Sequence, residues 1–221
     1  MTIYVLVEGP SELAFLNKWM PRLSLSHNFS VFPHQGKGSI PKQISAPPEP
    51  HKRGLLDQLP AKLRAFSSTL NPHTDGIAIL VDADSDNVKT LTSAITTTVA
   101  GCCPNLKVSV CVAVEEMEAF YLSDLGALQT AYPDYDAAKA RTYVPDSVCG
   151  TWELFGEVIG DDGGNKVAWG AKMGQYVTTT PAKSRSPSFK KALAAVKALD
   201  ALPTTQPVVK KKFRHAAKPT K

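Results

Sequence analysis

The sequence predicts an α/β fold with a mostly parallel sheet flanked by helices, followed by a less regular, basic C-terminal part. Three apolar segments rich in β-branched residues indicate buried strands, at 3–7, 77–81 and 108–114. A segment with helical spacing of its apolar residues follows each of them, and this alternation favours parallel strands joined by right-handed crossovers. With 221 residues, of which 43% are hydrophobic, the chain is large enough to bury the core of one such domain.

The first helix is predicted to begin at Pro10, directly after the first strand. Gly9 permits an unusual backbone conformation there, and Pro10 and Ser11 suit the first positions of a helix. Four further helices are predicted, at 55–70, 88–99, 119–122 and 188–199. Between the first two helices lies a long loop, 26–54, whose prolines forbid a regular helix and leave room only for a short strand at Val31 and Phe32.

The domain organisation follows from where the periodicity is lost. We expect residues 1–125 to form the α/β core, with the long loop at 26–54 inserted in it. Prolines and glycines interrupt the pattern beyond Asp124, so residues 126–200 are expected to form an extension that packs on the core. Residues 201–221 are predicted to be a flexible basic tail.

The net charge of +5 conceals a difference between the two halves of the chain. Residues 1–124 contain 10 Lys and Arg against 12 Asp and Glu, whereas residues 125–221 contain 15 against 8. An acidic front half suits cations, and a basic rear half suits a polyanion such as nucleic acid. Composition is equally compatible with a solvated basic tail that has no target.

The sequence gives no sign of a membrane partner. The longest apolar runs are far too short to cross a bilayer. The first strand follows Met1 almost directly, which leaves no room for a cleavable signal. We therefore expect a cytoplasmic protein.

Acidic residues follow all three predicted strands: Glu8 and Glu12, then Asp82, Asp84 and Asp86, then Glu115 and Glu118. Because the carboxyl ends of parallel strands meet at one edge of a sheet, these side chains are expected to converge. So many carboxylates cannot all remain ionised without a positive charge among them, and a hard divalent cation with oxygen ligands supplies one. The alternative is that each acid caps the helix that follows it.

Three short motifs resemble known families. Val7-Glu8-Gly9 with Glu12, followed by Asp82-x-Asp84 after the second strand, resembles the Toprim domain of topoisomerases, primases and nucleases of the overcoming-lysogenization-defect (OLD) type. The segment 114–124 resembles the E-x-E-A-W-x-L-x-D segment of the small Toprim-like DUF4276 proteins, with Phe120 in place of tryptophan. Residues 186–189 resemble the S-x-S-F motif of the same family. The expected fold is therefore Toprim/Rossmann-like.

The resemblance implies a divalent-metal-dependent nuclease that acts on DNA more readily than on RNA. Glu8 would be the general acid or base, and Glu118 is favoured over Glu115 as the acid contributed after the third strand. The predicted catalytic residues are Glu8, Glu12, Asp82, Asp84 and Glu118. The predicted ligands of Mg²⁺ or Mn²⁺ are Glu8, Glu12, Asp82, Asp84 and Asp86.

Basic residues are expected to hold the phosphate backbone of the nucleic acid. The predicted nucleic-acid-binding residues are Lys37, Lys52, Arg53, Lys172, Lys183 and Arg185. Lys166 joins the last three as a candidate for the lysine that OLD-type nucleases place near the scissile phosphate.

The resemblance also implies partners, namely an ATPase encoded alongside in an anti-phage or mobile-element system. The sequence leaves open whether the chain forms a homo-oligomer. The main alternative is a catalytically degenerate module that binds nucleic acid or a partner ATPase. A third interpretation is another phosphoryl-transfer enzyme that acts on a small substrate.

Overall fold

The sheet has four strands, all parallel, in the order β2-β1-β3-β4. The structure is a computed structural model that describes residues 1–147, 150–161 and 163–205. The strands are β1 (Thr2–Val7), β2 (Asn28–Pro33), β3 (Gly76–Asp82) and β4 (Lys107–Ala113). The predicted α/β fold with a parallel sheet is confirmed. The short strand expected at 31–32 is longer than predicted and forms one edge of the sheet.

Helices cover both faces of the sheet. In the described residues these are α1 (Pro10–Trp19), α2 (Leu55–Thr69), α3 (Val88–Cys102), α4 (Glu118–Leu122), α5 (Leu125–Ala131), α6 (Ala137–Thr142), α7 (Thr151–Ile159), α8 (Lys166–Met173) and α9 (Pro187–Asp200). None of the helices in this part of the chain is both long and apolar enough to cross a bilayer. Four of them, α5 to α8, lie where the sequence predicted no regular element.

The two faces of the sheet bury two separate hydrophobic clusters, because side chains alternate along each strand. Val5 and Val7 of β1 belong to a cluster that contains α1 and α4 to α9. Leu6 of the same strand points to the other face and joins the cluster formed with α2 and α3. Strands buried on both faces explain the continuous apolar runs in the sequence.

The C-terminal extension is fastened to the core by close contact between α8 and α1. A Cβ atom at Gly170 would lie 2.6 Å from the backbone oxygen of Ser11, and one at Gly174 would lie 2.4 Å from that of Phe15. Only glycine permits so close an approach. The contact places the middle of α8 beside the beginning of α1 and the end of α8 beside the middle of α1.

The last helix ends at the opposite edge of the sheet. The Asp200 carboxylate accepts hydrogen bonds from the backbone N–H groups of Ser26 and His27, just before β2, at 3.0 and 2.9 Å. A Cβ atom at Gly76, the first residue of β3, would contact the Leu202 side chain. Of the predicted basic tail at 201–221, residues 206–221 lie outside the described residues.

Candidate functional site

The first two acidic segments meet where β1 and β3 end side by side. The backbone N–H of Asp82 donates a 2.7 Å hydrogen bond to Oε1 of Glu8. This bond crosses between neighbouring strands and fixes the Glu8 carboxylate at the carboxyl edge of the sheet. The predicted convergence of Glu8 and Asp82 is therefore present in the structure.

Burial and mutual repulsion change the protonation of this pair. Burial raises the pKa of Glu8 to about 7, against the lowering effect of the Asp82 hydrogen bond, and the Asp84 and Glu12 carboxylates raise it further. Burial also holds the pKa of Asp82 well above its usual range, with contributions from Glu8, Glu12 and Glu118. Carboxylates that raise one another's pKa form a site that favours a bound cation or proton.

Glu12 contributes a third carboxylate from the first turn of α1. Its Oε1 accepts a 2.8 Å hydrogen bond from the Ser11 hydroxyl. Glu8, Glu12 and Asp82 together line a cavity of about 20 Å³, which Met117 and Phe120 close on the apolar side. A cavity of this size has room for about one water molecule.

Glu118 begins α4 and lies behind the wall of the cavity, where its charge raises the pKa of Asp82. Its side chain is only 3% exposed. Burial raises the pKa of Glu118 to about 7, although the Lys166 ammonium lowers it in part, while Glu116 and Glu12 raise it further. The preference for Glu118 agrees with this electrostatic coupling to Glu12.

The two neighbouring glutamates, Glu115 and Glu116, form hydrogen bonds with other segments of the chain. Glu115 is buried and accepts a hydrogen bond from the Tyr143 hydroxyl. Glu116 accepts a 2.9 Å hydrogen bond from the backbone N–H of Trp152 near the start of α7. It also lies 3.5 Å from the ammonium of Lys166, which brings that lysine to the same edge of the sheet.

Lys37 is the cation that the structure places among the aspartates after β3. Its Nζ lies 2.7 Å from Asp84 Oδ2 and 2.9 Å from Asp86 Oδ2. It also donates to the backbone oxygens of Asp82 and Ala83. Burial disfavours the charged ammonium and by itself lowers the pKa of Lys37, but the hydrogen bonds to Asp84 and Asp86 outweigh it and raise the pKa overall. The sequence predicted Lys37 as a nucleic-acid contact, and no signal in the sequence indicated these partners.

The Gly36-Lys37-Gly38 turn explains how a loop residue reaches β3. Both glycines have positive φ values, 88° and 67°, which favour glycine. The N–H of Gly36 bonds the Glu8 carbonyl at 2.9 Å, and the Gly36 carbonyl accepts from Leu55 at 2.8 Å. The turn is thus fixed between β1 and α2, and it directs Lys37 across the sheet edge.

The S-x-S-F motif holds the segment after β4 in place. Ser186 caps α9 by accepting a 3.0 Å hydrogen bond from the N–H of Phe189. The Ser188 hydroxyl accepts from the N–H of Val114 at 3.1 Å and lies 3.0 Å from the Asp146 carboxylate. Ser188 also lines the acidic cavity. Its hydroxyl therefore positions the chain that leads to Glu118.

The remaining predicted nucleic-acid contacts are dispersed. Lys52 pairs with Glu49 at 2.8 Å, and Arg53 lies on the carboxyl side of β2. Lys172 lies 4.0 Å from the Tyr132 ring centroid, and Lys183 is exposed in a short 3-10 helix. Arg185 donates to the backbone oxygens of Leu122, Ala140 and Tyr143, so its guanidinium joins three segments of the fold.

Tyr121 is a residue of the site region that the sequence did not single out. It is fully buried, and its hydroxyl has no hydrogen-bond partner among the described residues. Burial holds the pKa of Tyr121 well above its usual range, reinforced by the carboxylates of Glu118 and Glu12. A neutral hydroxyl is therefore available as a donor next to these acids.

The donor chemistry fits a hard divalent cation, but the ligands are not preassembled. In the described part of the chain, no three Asp, Glu, His or Cys side chains stand in a geometry that would hold a metal ion. Carboxylate oxygens such as those of Glu8, Glu12 and Asp82 are the ligands that Mg²⁺ prefers. Lys37 already contacts one oxygen of Asp84 and one of Asp86, so a cation bound by these aspartates would share them with the ammonium or displace it.

The fold and this edge define an α/β protein with an acidic site where its parallel strands end. The chain belongs to the DUF4276 family, described as a domain of unknown function, whose model matches residues 7–197. The matched region contains every acid of the site and the S-x-S-F motif. No curated protein and no solved structure matches the chain.

Proposed function

We propose that this chain is a divalent-metal-dependent nuclease of Toprim type, related to the OLD-type nucleases, that hydrolyses phosphodiester bonds in DNA more readily than in RNA. The observation that carries the proposal is the meeting of Glu8, Glu12 and Asp82 around one small cavity. Glu8, whose pKa burial raises to about 7, suits both metal binding and proton transfer.

The acids of the site would divide the proposed chemistry between metal binding and proton transfer. Glu8, Glu12 and Asp82 would hold Mg²⁺ or Mn²⁺, and the metal would supply a water of lowered pKa and charge stabilisation for the leaving oxygen. Asp82 N–H holds Oε1 of Glu8, so Oε2 is the atom suited to accept a proton from the attacking water. Glu118, with its pKa near 7, suits donation of a proton to the leaving group.

Two lysines would act on the phosphate. Lys166 lies near Glu116 and Glu118, and Lys37 lies on the other side of the acids, against Asp84 and Asp86. An ammonium on each side of the carboxylates would offset the charge that a bound phosphate adds. The resemblance also supports a partner ATPase in a defence or mobile-element system, with a homo-oligomer left open.

The second candidate function is a catalytically degenerate module that binds nucleic acid or a partner protein. The observation that favours it is the Lys37 ammonium, which already forms ion pairs with Asp84 and Asp86 without a metal. In that case the acids would serve the fold, and the basic residues would carry all of the binding.

Incubation of the protein with supercoiled DNA, linear DNA or RNA tests both candidates. We expect cleavage with Mg²⁺ or Mn²⁺ and none with EDTA. Glu8→Gln and Asp82→Asn should abolish cleavage, whereas Glu153→Gln, which changes an exposed glutamate of α7, should not. Binding without cleavage under every metal condition would support the second candidate. Cleavage that survives both site substitutions would refute the assignment of these residues.

A further inference from the structure

A second cavity, of about 510 Å³, lies at the carboxyl end of β2, next to the acidic site. We call it the basic pocket and define it by four polar side chains that line it: His34, Arg53, Gln58 and Lys62. Pro10, the first residue of α1, forms part of its wall. Since β2 and β1 are neighbours in the sheet, the pocket stands beside the strand that ends in Glu8.

The charges in the basic pocket are unbalanced. Arg53 and Lys62 supply two cations, and none of the described residues that line the pocket is acidic. Neither cation forms an ion pair with another described residue; Lys62 only lies over the Phe32 ring, 5.5 Å from its centroid. Lys62 is half-buried, and this burial lowers the pKa of its ammonium. Two unpaired cations facing one cavity favour an anionic ligand.

His34 adds a buried polar group without a partner. The ring is 8% exposed, and Nδ1 lies 2.7 Å from the Val7 carbonyl. A carbonyl only accepts, so Nδ1 carries the proton and the ring orientation is fixed. Nε2 is buried and has no hydrogen-bond partner among the described residues. Because Nδ1 carries the proton and burial lowers the pKa of His34, the ring is neutral and Nε2 is an acceptor, so a donor such as a water molecule would complete it and it adds nothing to anion binding.

We propose that the basic pocket binds a phosphate group of the nucleic-acid strand that the acidic site acts on. Arg53 offers the planar fork that binds phosphate oxygens through two parallel hydrogen bonds, and Lys62 adds a point charge. The positive end of the α1 dipole, at Pro10, favours the same anion. The pocket would thereby hold the strand one phosphate or more away from the bond at Glu8.

This inference rests on the proposed function for its choice of ligand, but its test does not need cleavage. Fluorescence anisotropy in EDTA measures the binding of a labelled DNA oligonucleotide over a series of salt concentrations. The test protein is the Arg53→Gln/Lys62→Gln double variant. A matched control, Lys107→Gln/Lys197→Gln, removes the same charge from exposed positions away from the pocket, of which Lys107 begins β4 at the amino edge.

The expected result is a loss of one phosphate contact in the test variant only. Each phosphate that a protein neutralises contributes about 0.9 to the magnitude of the slope of log K, the DNA association constant, against log salt. For the test variant this magnitude should therefore fall by about 1, and the affinity for DNA at 0.1 M salt should fall by about eightfold. Equal slopes and affinities for test and control variants would overturn the proposal.

Three ligands distinguish the source of the phosphate. An equal loss for oligonucleotides with and without a 5′-phosphate would identify an internal phosphodiester as the occupant. A loss confined to the 5′-phosphorylated oligonucleotide would identify a terminal phosphate. If Arg53→Gln/Lys62→Gln weakened only the binding of inorganic phosphate, measured by calorimetry, the nucleic-acid assignment would be overturned.

Cleavage assays separate this inference from the proposed function. Suppose that the protein cleaves DNA with a metal, but that Arg53→Gln/Lys62→Gln leaves the slope of log K against log salt unchanged. The nuclease proposal would then stand, and the proposal that the basic pocket binds phosphate would be refuted. Phosphate binding in the pocket without any cleavage would refute the nuclease proposal alone.

Discussion

Glu118→Gln is predicted to stabilise the metal-free protein at pH 8 and to leave its stability almost unchanged at pH 4.5. Burial raises the pKa of Glu118 from 4.5 to about 7. The folded state therefore binds this proton more tightly than the unfolded state does. The resulting stability is present at low pH and is lost progressively as the pH rises from about 4.5 to 7.

The size of the effect follows from the pKa change. One pKa unit corresponds to about 1.4 kcal/mol, so ionisation of Glu118 costs about 3 kcal/mol at pH 8. Glutamine has the same shape without the charge and avoids this cost. For a chain of this length the gain corresponds to a rise in Tm of about 6–12 °C. Glu118 also raises the pKa of Asp82, so removal of the Glu118 charge would lower the cost of ionising Asp82 and add to the gain in stability.

Thermal unfolding in EDTA at pH 4.5 and pH 8 measures this difference. Glu153→Gln is the matched control, because Glu153 is exposed on α7 and its loss should change Tm little at either pH. Excess Mg²⁺ at pH 8 should stabilise the original protein more than Glu118→Gln, since a bound cation relieves the same repulsion. An equal or lower Tm for Glu118→Gln at pH 8 would refute the assignment of a buried, destabilising carboxylate.

Two further predictions concern the contacts around the acids. Lys37→Met should lower the free energy of unfolding by about 1–2 kcal/mol in EDTA, because Asp84 and Asp86 are half exposed and each ion pair contributes little. Urea unfolding measures this free energy, and Lys42→Met, in the same loop, is the control. A decrease for Lys37→Met no larger than that for Lys42→Met would contradict the prediction. Ser188→Ala should lower the free energy of unfolding by about 1–3 kcal/mol, because it leaves the Val114 N–H without a hydrogen-bond partner. The control Ser68→Ala, at an exposed position, should not lower it. Equal urea midpoints for the two variants would contradict the positioning role of Ser188.

The acids at the ends of β1 and β3 could be predicted because the pattern that marks a parallel strand also marks where it ends. Glu8 and Asp82 follow uninterrupted apolar runs, and strand order alone then brings them together. Glu118 was harder to distinguish from Glu115, because both follow β4 closely. Both are equally buried, and what separates them is the Tyr143 hydroxyl, which comes from a distant segment and bonds Glu115.

The position of Lys37 could not be predicted, because the long loop has no periodicity. Its path depends on two positive φ values and on hydrogen bonds to β1 and α2. The helices α5, α6 and α8 did carry a local signal, since Asp124, Asp136 and Asn165 cap them. Their short length gave too few apolar repeats for the spacing to stand out.

The attachment of α9 near Ser26 and Gly76 has a consequence for the charges at the end of the described chain. The described chain ends at the amino edge of the sheet, while the acids lie at the carboxyl edge. A strand of six residues spans about 20 Å, which is more than twice the screening length of about 8 Å at physiological salt. Charges on the last described residues are therefore electrically independent of the acids at the other edge of the sheet.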